Sequence, residues 1–333
     1  MKALLLVKNT DAPLELKQVD KPIPGKGQVL VKVKAAALNR RDEWIRQGKY
    51  PGIVLDTILG SDGAGVVEAV ADGMSKDLIG KEVLINPNMN WGDNPAVQAS
   101  DYHIVGMPAN GTFAEYIVVD EQQLFEKPAH LSWEAAAALP LGGLTAFRAA
   151  FHHGRIAADQ NVLISGMGGG VAQFAFQFAL AAGASVYITS GQQEKLDRAL
   201  KMGAKAGFNY KQEGWQKAAM KESGGFDCVI DSAGGDQLND FIKMMKPAGR
   251  IVFYGATNGM PAKLDVFRMF WNQITLQGST MGNDGEFGEM LRFVAEHTIE
   301  PVVDSVRPFD EIVDAFDAMR DGKQFGKLVV SMG

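Results

Sequence analysis

Residues 161–195 constrain this chain more than any other stretch. Val162, Leu163 and Ile164 form an apolar run short enough for a buried strand. Four glycines follow at 166, 168, 169 and 170. Residues 171–182 are apolar nearly all round and read as a helix, with Gly183 as its stop. Val186, Tyr187 and Ile188 then read as the next parallel strand. Strand, glycine turn, helix, strand is the order of a dinucleotide-binding unit. Glycines let the backbone approach a pyrophosphate, and a helix start offers unpaired N–H groups with a positive dipole end. A glycine turn alone would serve any tight strand-to-helix connection; the flanking strand and helix make the signal specific.

The rest of the composition fits a chain with substantial cores. With 333 residues, 46% of them hydrophobic, the length allows two domains. The net charge of −6 is spread without a basic block, which speaks against nucleic acid and anionic membranes as partners. One cysteine, Cys228, allows no intramolecular disulfide and no cysteine-rich metal site. The apolar start, Met1 to Val7, is too short for a signal peptide, and no apolar run approaches the ~20 residues that span a bilayer. The expectation is a soluble cytoplasmic protein.

Ahead of the glycine turn, residues 1–126 alternate in β fashion. Val29, Val31 and Val33 face one way, Lys32 and Lys34 the other. Gly65–Val70 and Gly80–Ile85 read as further short strands among Gly and Pro turns, which predicts an antiparallel, barrel-like domain. Residues 87–112 form a long polar stretch, and loops of that length are usually functional. Gly111–Tyr116 reads as a return to strand. Ser132 reads as the N-cap of a helix over 133–139, Pro140 interrupts it, and a second helix is expected over 143–151. Beyond Lys195, helices at 196–202, 215–222 and 237–245 alternate with strands at 206–208, 226–231, 249–254 and 274–278. That alternation predicts a doubly wound parallel sheet. The last stretch carries helices near 286–297 and 309–320 and a strand at 327–330.

Several segments together carry a family resemblance. They are Ala36-Ala37-Leu38-Asn39-Arg40-Arg41-Asp42, Gly48-Lys49-Tyr50-Pro51, Gly60-Ser61-Asp62-Gly63-Ala64-Gly65, Leu139-Pro140-Leu141-Gly142-Gly143-Leu144-Thr145-Ala146, Gly166-x-x-Gly169-x-x-Ala172, Asn209-Tyr210 and Phe325-Gly326-Lys327. In this order and spacing the chain resembles the medium-chain dehydrogenase/reductase superfamily, in its zinc-independent quinone oxidoreductase branch. The resemblance implies an α/β protein: a GroES-like, β-barrel-type catalytic domain over 1–126, a Rossmann NADP-binding domain over 127–270, and a segment over 271–333 that returns to the first domain. Ala172 departs from the glycine common in the family, by one tolerable methyl.

The zinc-dependent relatives place a cysteine near Asn39 and a Gly-His-Glu triplet near Gly60. Here Asn39 and Gly60-Ser61-Asp62 offer neither thiolate nor imidazole, the donors such a tetrahedral site prefers. His103 and His130 stand alone in sequence. No metal is expected, and polarisation of the acceptor passes to hydrogen-bond donors.

The resemblance implies catalytic roles for Asn39, Tyr50 and Thr145. Each also has a plain structural reading: a turn cap, a half-buried aromatic, and a helix hydroxyl bonded to its own backbone. It implies cofactor contacts from Gly166, Gly168, Gly169, Gly170, Val171, Ser190, Lys195, Tyr210, Asp231, Ser232, Gly255 and Lys327, although Asp231 also suits an N-cap. An NAD-specific unit places Asp or Glu at the end of its second strand. Here that position reads Thr189-Ser190-Gly191, with Lys195 and Tyr210 to follow, which points to NADPH. The reading is a hydride-transferring reductase of quinones or α,β-unsaturated carbonyls, a homodimer or homotetramer. A trans-2-enoyl thioester reductase and a non-catalytic NADPH-binding protein are the alternatives.

Overall fold

The computed structural model describes residues 1–8 and 13–333. The chain divides into two compact units, Met1–Gly142 with Asn283–Gly333, and Gly143–Gly282.

In the first unit, seven strands form one sheet. Its path runs Val303–Pro308, Lys327–Ser331, Gln28–Ala37, Asp62–Val70, Glu82–Ile85, Leu124–Glu126, and Tyr116–Asp120 also pairs with Gln28–Ala37. Only the pair of Val303–Pro308 with Lys327–Ser331 is parallel. A hairpin of Lys2–Leu6 and Leu14–Gln18 stands apart from it. The expected alternation holds where one face is wet: Val29, Val31 and Val33 are buried while Lys32 is exposed. It lapses at Ala35, Ala36 and Ala37, all buried, where the helix Trp133–Ala138 packs against this strand and its neighbour. Ser132 caps that helix by accepting from the Ala135 N–H at 3.2 Å.

The chain's C-terminal segment belongs to this unit. Val329 and Val330 pair antiparallel with Ala37 and Ala36. Phe316, on the helix Ile312–Asp321, meets Phe113 edge-on with ring centroids 6.0 Å apart in the core.

The second unit is a six-stranded parallel sheet. Its order is Ala206–Asn209, Ser185–Ser190, Asn161–Ile164, Phe226–Asp231, Met245–Phe253, Thr275–Gly278. Asn161–Ile164, first in sequence, lies in the middle. The strand order reverses between it and Phe226–Asp231, which creates a crevice outside their carboxyl ends. Helices Gly170–Ala181, Gln193–Lys201, Trp215–Ser223 and Gln237–Met244 make the crossovers.

Several expectations shift. The returning strand is Tyr116–Asp120, not Gly111–Tyr116, because the N–H groups of Gly111, Thr112 and Phe113 are already spent on the carbonyls of Ile58, Gly60 and Leu59. Pro140 opens a helix, Pro140–Phe147, where its missing N–H costs nothing, and a π-helical stretch Arg148–His153 continues it. The two compact units meet at 142/143 and 282/283, where the expected domains meet at 126/127 and 270/271. The helix over 133–138 packs on the first sheet, and Thr275–Gly278 completes the second. Short helices at Arg40–Arg46 and Val266–Trp271 had no clear periodic signal. No helix among the described residues is long and apolar enough to cross a membrane.

Phe316 is fully buried, so Phe316→Ala should destabilise the first unit by about 3–5 kcal/mol. Urea unfolding would show this as a lower midpoint at unchanged slope. A midpoint equal to wild type would mean that the C-terminal helix is not part of that core.

Candidate active site

In the first unit, the segments around Asn39 and Asp62 meet because Ala37 and Asp62 are paired across adjacent strands. Asp62 is fully buried and fully engaged. Its Oδ1 accepts from the Leu141 N–H at 2.7 Å, and its Oδ2 accepts from Lys327 Nζ at 2.8 Å and from Asn39 Nδ2 at 2.9 Å. The Lys327 ammonium also donates to Asn39 Oδ1 at 2.7 Å. Three side chains thus form a closed, buried group in which the lysine charge is matched by the aspartate.

Two residues past Asn39 and one before Asp62 lies a second group. The guanidinium of buried Arg41 donates to Ser61 Oγ at 2.5 Å and to the carbonyls of Val105 at 2.9 Å and Met107 at 3.4 Å. Its Nε donates to the Tyr50 hydroxyl oxygen at 3.2 Å, and it lies 4.8 Å from the centre of the Tyr50 ring. The 87–112 stretch is therefore an ordered element that supplies carbonyls to this group. It contains a two-stranded pair, Asn88–Met89 with His103–Ile104, and Trp91 stacked edge-on against Tyr102. The Tyr102 hydroxyl donates to Asn88 Oδ1 at 2.7 Å, and burial pushes this phenol far above its usual range.

Zinc does not fit these residues. The donors at the positions of the metal ligands are an amide, a hydroxyl and a carboxylate already held by an ammonium ion. Among the described residues, no group of three or more His, Cys, Asp or Glu is arranged to hold a metal.

In the second unit, the glycine turn leads into Gly170–Ala181, whose first N–H groups are left over by the helix. Gly168 has a φ of +151°, and a Cβ there would lie 2.9 Å from Lys195 Cδ and 3.0 Å from its Nζ. The lysine stem therefore lies over the turn and brings a cation to it. Ser232 Oγ borders the turn at Gly166, and Gly255 lies against the Ser232 carbonyl. At the end of the second strand Ser190 is buried and accepts from the Gln192 N–H. A Cβ on Gly191 would lie 2.7 Å from the Tyr210 hydroxyl and 2.8 Å from Lys211 Cε. The missing side chains at 168 and 191 let Lys195, Tyr210 and Lys211 pack directly on the glycine turn and on the end of the second strand.

Two family models match: an alcohol dehydrogenase GroES-like domain over residues 25–129 and a zinc-binding dehydrogenase domain over 170–296. The zinc-type alcohol dehydrogenase-like protein YogA of Leptosphaeria maculans is 37% identical, over 96% of this chain and 95% of its own. A crotonyl-CoA carboxylase/reductase of Cereibacter sphaeroides is 29% identical, over 96% of this chain and 84% of its own. A crystal structure of an NAD-dependent alcohol dehydrogenase superposes with a TM-score of 0.93 at 35% identity, over all of both chains. The two domain families together define a nicotinamide-dependent oxidoreductase. The chain belongs to the medium-chain dehydrogenase/reductase superfamily.

Three site expectations change. Asn39, expected to act at the acceptor, gives one amide hydrogen to Asp62 and accepts from Lys327 with its Oδ1, so its contacts in the structure are with that buried pair. Lys327 was expected at the cofactor, but its ammonium is buried in the first unit on Asp62 and Asn39. Asp231 was expected to touch the cofactor. It is fully buried, with Oδ1 taken by Ser165 Oγ and Oδ2 by the N–H groups of Ala233 and Gly234, so it fixes the turn that carries Ser232. Burial pushes its carboxyl up against the pull of those hydrogen bonds. Thr145 is buried, with its hydroxyl 3.6 Å from Met281 Sδ. Sequence reasoning missed Arg41. Its signal was the doubled arginine after Asn39, but nothing in the pattern tells the exposed Arg40 from the buried Arg41.

Asp42 links the two groups. It is fully buried, and its Oδ2 accepts from the Asn39 N–H at 2.8 Å, while its Oδ1 has no hydrogen-bond partner. Burial pushes its carboxyl up from 3.8 to about 6. The charge of Asp62 adds to this, and Arg41, Lys327 and the Asn39 hydrogen bond oppose it. A carboxyl with a raised folded pKa favours the folded state below its unfolded value, and that contribution is lost as pH rises through about 6. The protein should therefore lose stability as pH rises from about 4 through about 6, on the order of 3 kcal/mol in all from this group, and Asp42→Asn should flatten that slope. Urea unfolding at several pH values tests it; equal slopes in both proteins would remove Asp42 as the cause.

Proposed function

We propose that this chain is a zinc-free, NADPH-dependent reductase of quinones or α,β-unsaturated carbonyl compounds. The observation that carries the reading is the closed Lys327–Asp62–Asn39 group at the metal-ligand positions, beside a phenol, Tyr50, that is only partly buried. Without a Lewis acid to help remove a hydroxyl proton, alcohol oxidation is disfavoured, and reduction of an already electrophilic acceptor needs only a hydrogen-bond donor at the oxygen that gains charge. Bound to the second unit, a reduced nicotinamide dinucleotide supplies the hydride. Gly166, Gly168, Gly169, Gly170 and Val171 give its pyrophosphate backbone room and N–H donors. Ser232 and Gly255 line the crevice at the strand ends. Ser190, Lys195 and Tyr210 hold the 2′-phosphate, where no carboxylate stands to repel it. In the first unit, Tyr50 donates to the acceptor oxygen, and solvent supplies the proton that completes the product.

The likeness to a crotonyl-CoA carboxylase/reductase, together with the exposed cations Arg40 and Lys49, supports a second reading with enoyl thioesters as acceptors. NADPH oxidation with crotonyl-CoA, compared with a simple enone, separates the two. The exposed apolar side chains of Val266, Phe267, Phe270 and Trp271, next to the edge strand Thr275–Gly278, support assembly into a homodimer or homotetramer.

Lys195→Ala should weaken NADPH by one to two decades, about 1.5–3 kcal/mol for a charge-assisted hydrogen bond, and leave NADH nearly unchanged. Fluorescence titration of both cofactors reads this directly; NADH binding wild type as tightly as NADPH would refute the assignment.

Tyr50→Phe should lower turnover of a quinone and an enone while NADPH affinity stays at the wild-type value. Loss of one preorganised donor costs up to about 2.7–4 kcal/mol where it carries a full oxyanion. Unchanged kinetics on both acceptors would take Tyr50 out of the reaction.

A further inference from the structure

The guanidinium of Arg41 is 6% exposed, yet it takes part in no ion pair among the described residues. Its partners are four neutral oxygens, on Ser61, Tyr50, Val105 and Met107. Asp42, its neighbour in sequence, feels the charge but donates and accepts nothing with it. The guanidinium is thus buried with no carboxylate of the described residues in direct contact, an arrangement that suits a negative charge arriving from outside the protein. Lys327, by contrast, already has its carboxylate at 2.8 Å.

The hydroxyl protons show where Arg41's charge leads. Ser61 Oγ donates its O–H to the Val105 carbonyl at 2.8 Å. The Tyr50 oxygen accepts from Arg41 Nε, and its O–H meets no acceptor among the described residues. Tyr50 is also the one side chain of this group that reaches solvent. The arrangement is a relay of fixed direction: cation, phenol oxygen, free phenol proton. A cation behind a hydroxyl polarises it and strengthens the bond it donates forward.

We propose that Arg41 is the positioning residue of the acceptor site. It orients the Tyr50 hydroxyl and places a buried positive charge behind it, so that the phenol stabilises an oxyanion on the acceptor. This rests on the reductase reading and narrows it to acceptors whose oxygen becomes a localised anion, enones and enoyl thioesters before quinones. As hydride arrives at the β-carbon of such an acceptor, the C=C electron pair moves to form an enolate, and the carbonyl oxygen takes the negative charge. Tyr50 keeps its proton and donates it as a hydrogen bond. Water then protonates the α-carbon and the carbonyl re-forms, with hydroxide released to the buffer. Arg41 thereby supplies the fixed cation that the metal-ligand positions no longer hold.

The test uses Arg41→Gln, Arg41→Lys, Tyr50→Phe and the double variant Arg41→Gln/Tyr50→Phe, each with two readouts. The first is kcat on an enone and on a quinone, with NADPH affinity measured alongside. Arg41→Gln should lower kcat on the enone by about tenfold to a hundredfold and on the quinone by less, with NADPH affinity unchanged and Arg41→Lys in between. Added to Tyr50→Phe, Arg41→Gln should cost little more, because the charge then has no proton to act through. The second readout needs no turnover. 4-Nitrophenolate, a stable oxyanion, is titrated into the NADP-loaded protein and followed by its absorbance; its affinity should fall about tenfold in each single variant and no further in the double one. Losses that multiply in the double variant, or an Arg41→Gln protein that keeps both its enone turnover and its nitrophenolate affinity, overturn the proposal. If Arg41→Gln does not fold, nitrophenolate affinity unchanged by Tyr50→Phe overturns it equally. If the wild type reduces no acceptor but binds nitrophenolate through both residues, the reductase reading falls and the Arg41–Tyr50 relay stands.

Discussion

The buried contact between Lys327 and Asp62 holds the chemistry of the first unit in place. It joins the last strand of the chain to the strand that carries Asp62, and Asn39 closes the triangle. Removal of one partner from such a pair leaves an uncompensated charge in the interior, which is far more damaging than the net worth of the pair. Asn39 also caps the helix Arg40–Arg46 from the backbone side, through Asp42. That helix is what aims Arg41 and thereby Tyr50. Orientation of the phenol therefore depends on an ion pair whose members lie 265 positions apart in sequence.

The same contact occupies the positions at which the zinc-dependent relatives hold their metal. A carboxylate that faces an ammonium ion at 2.8 Å is no longer a free ligand, and the amide beside it is bonded at both ends. Positive charge is present in two forms: Lys327, in a direct ion pair with Asp62, and Arg41, which makes no ion pair among the described residues and whose neighbouring carboxyl, Asp42, does not hydrogen-bond to it. The first fixes structure; in the proposed reaction the second faces the charge that develops on the acceptor. This division suits hydride delivery to an acceptor that needs its oxygen stabilised and no proton removed.

In the second unit the corresponding constraint is space. At Gly168, Gly191 and Gly255 a side chain would collide with Lys195, with Tyr210 and Lys211, and with the Ser232 carbonyl, so glycine is what lets these groups close on the strand ends. Asp231 spends its whole hydrogen-bonding capacity inside the protein to hold the adjoining turn. Its part is to keep the crevice in shape, and the contacts fall to its neighbours.

The sequence by itself determined the nucleotide unit, because every signal there is local: an apolar strand, a glycine turn, a helix and the next strand follow within 35 residues. It also determined what the metal-ligand positions lack, since the absence of thiolate and imidazole is a matter of residue type. Where these groups meet was decided only by the tertiary structure. Asn39, Asp62 and Lys327 look like separate motifs until the strands Gln28–Ala37, Asp62–Val70 and Lys327–Ser331 pair as neighbours. Arg40 and Arg41 are equivalent in composition, and only the packing of their helix makes one exposed and the other buried. Hydrogen-bond partners of a buried side chain come from distant strands and loops, and the sequence pattern records periodicity along the chain, not contacts across it.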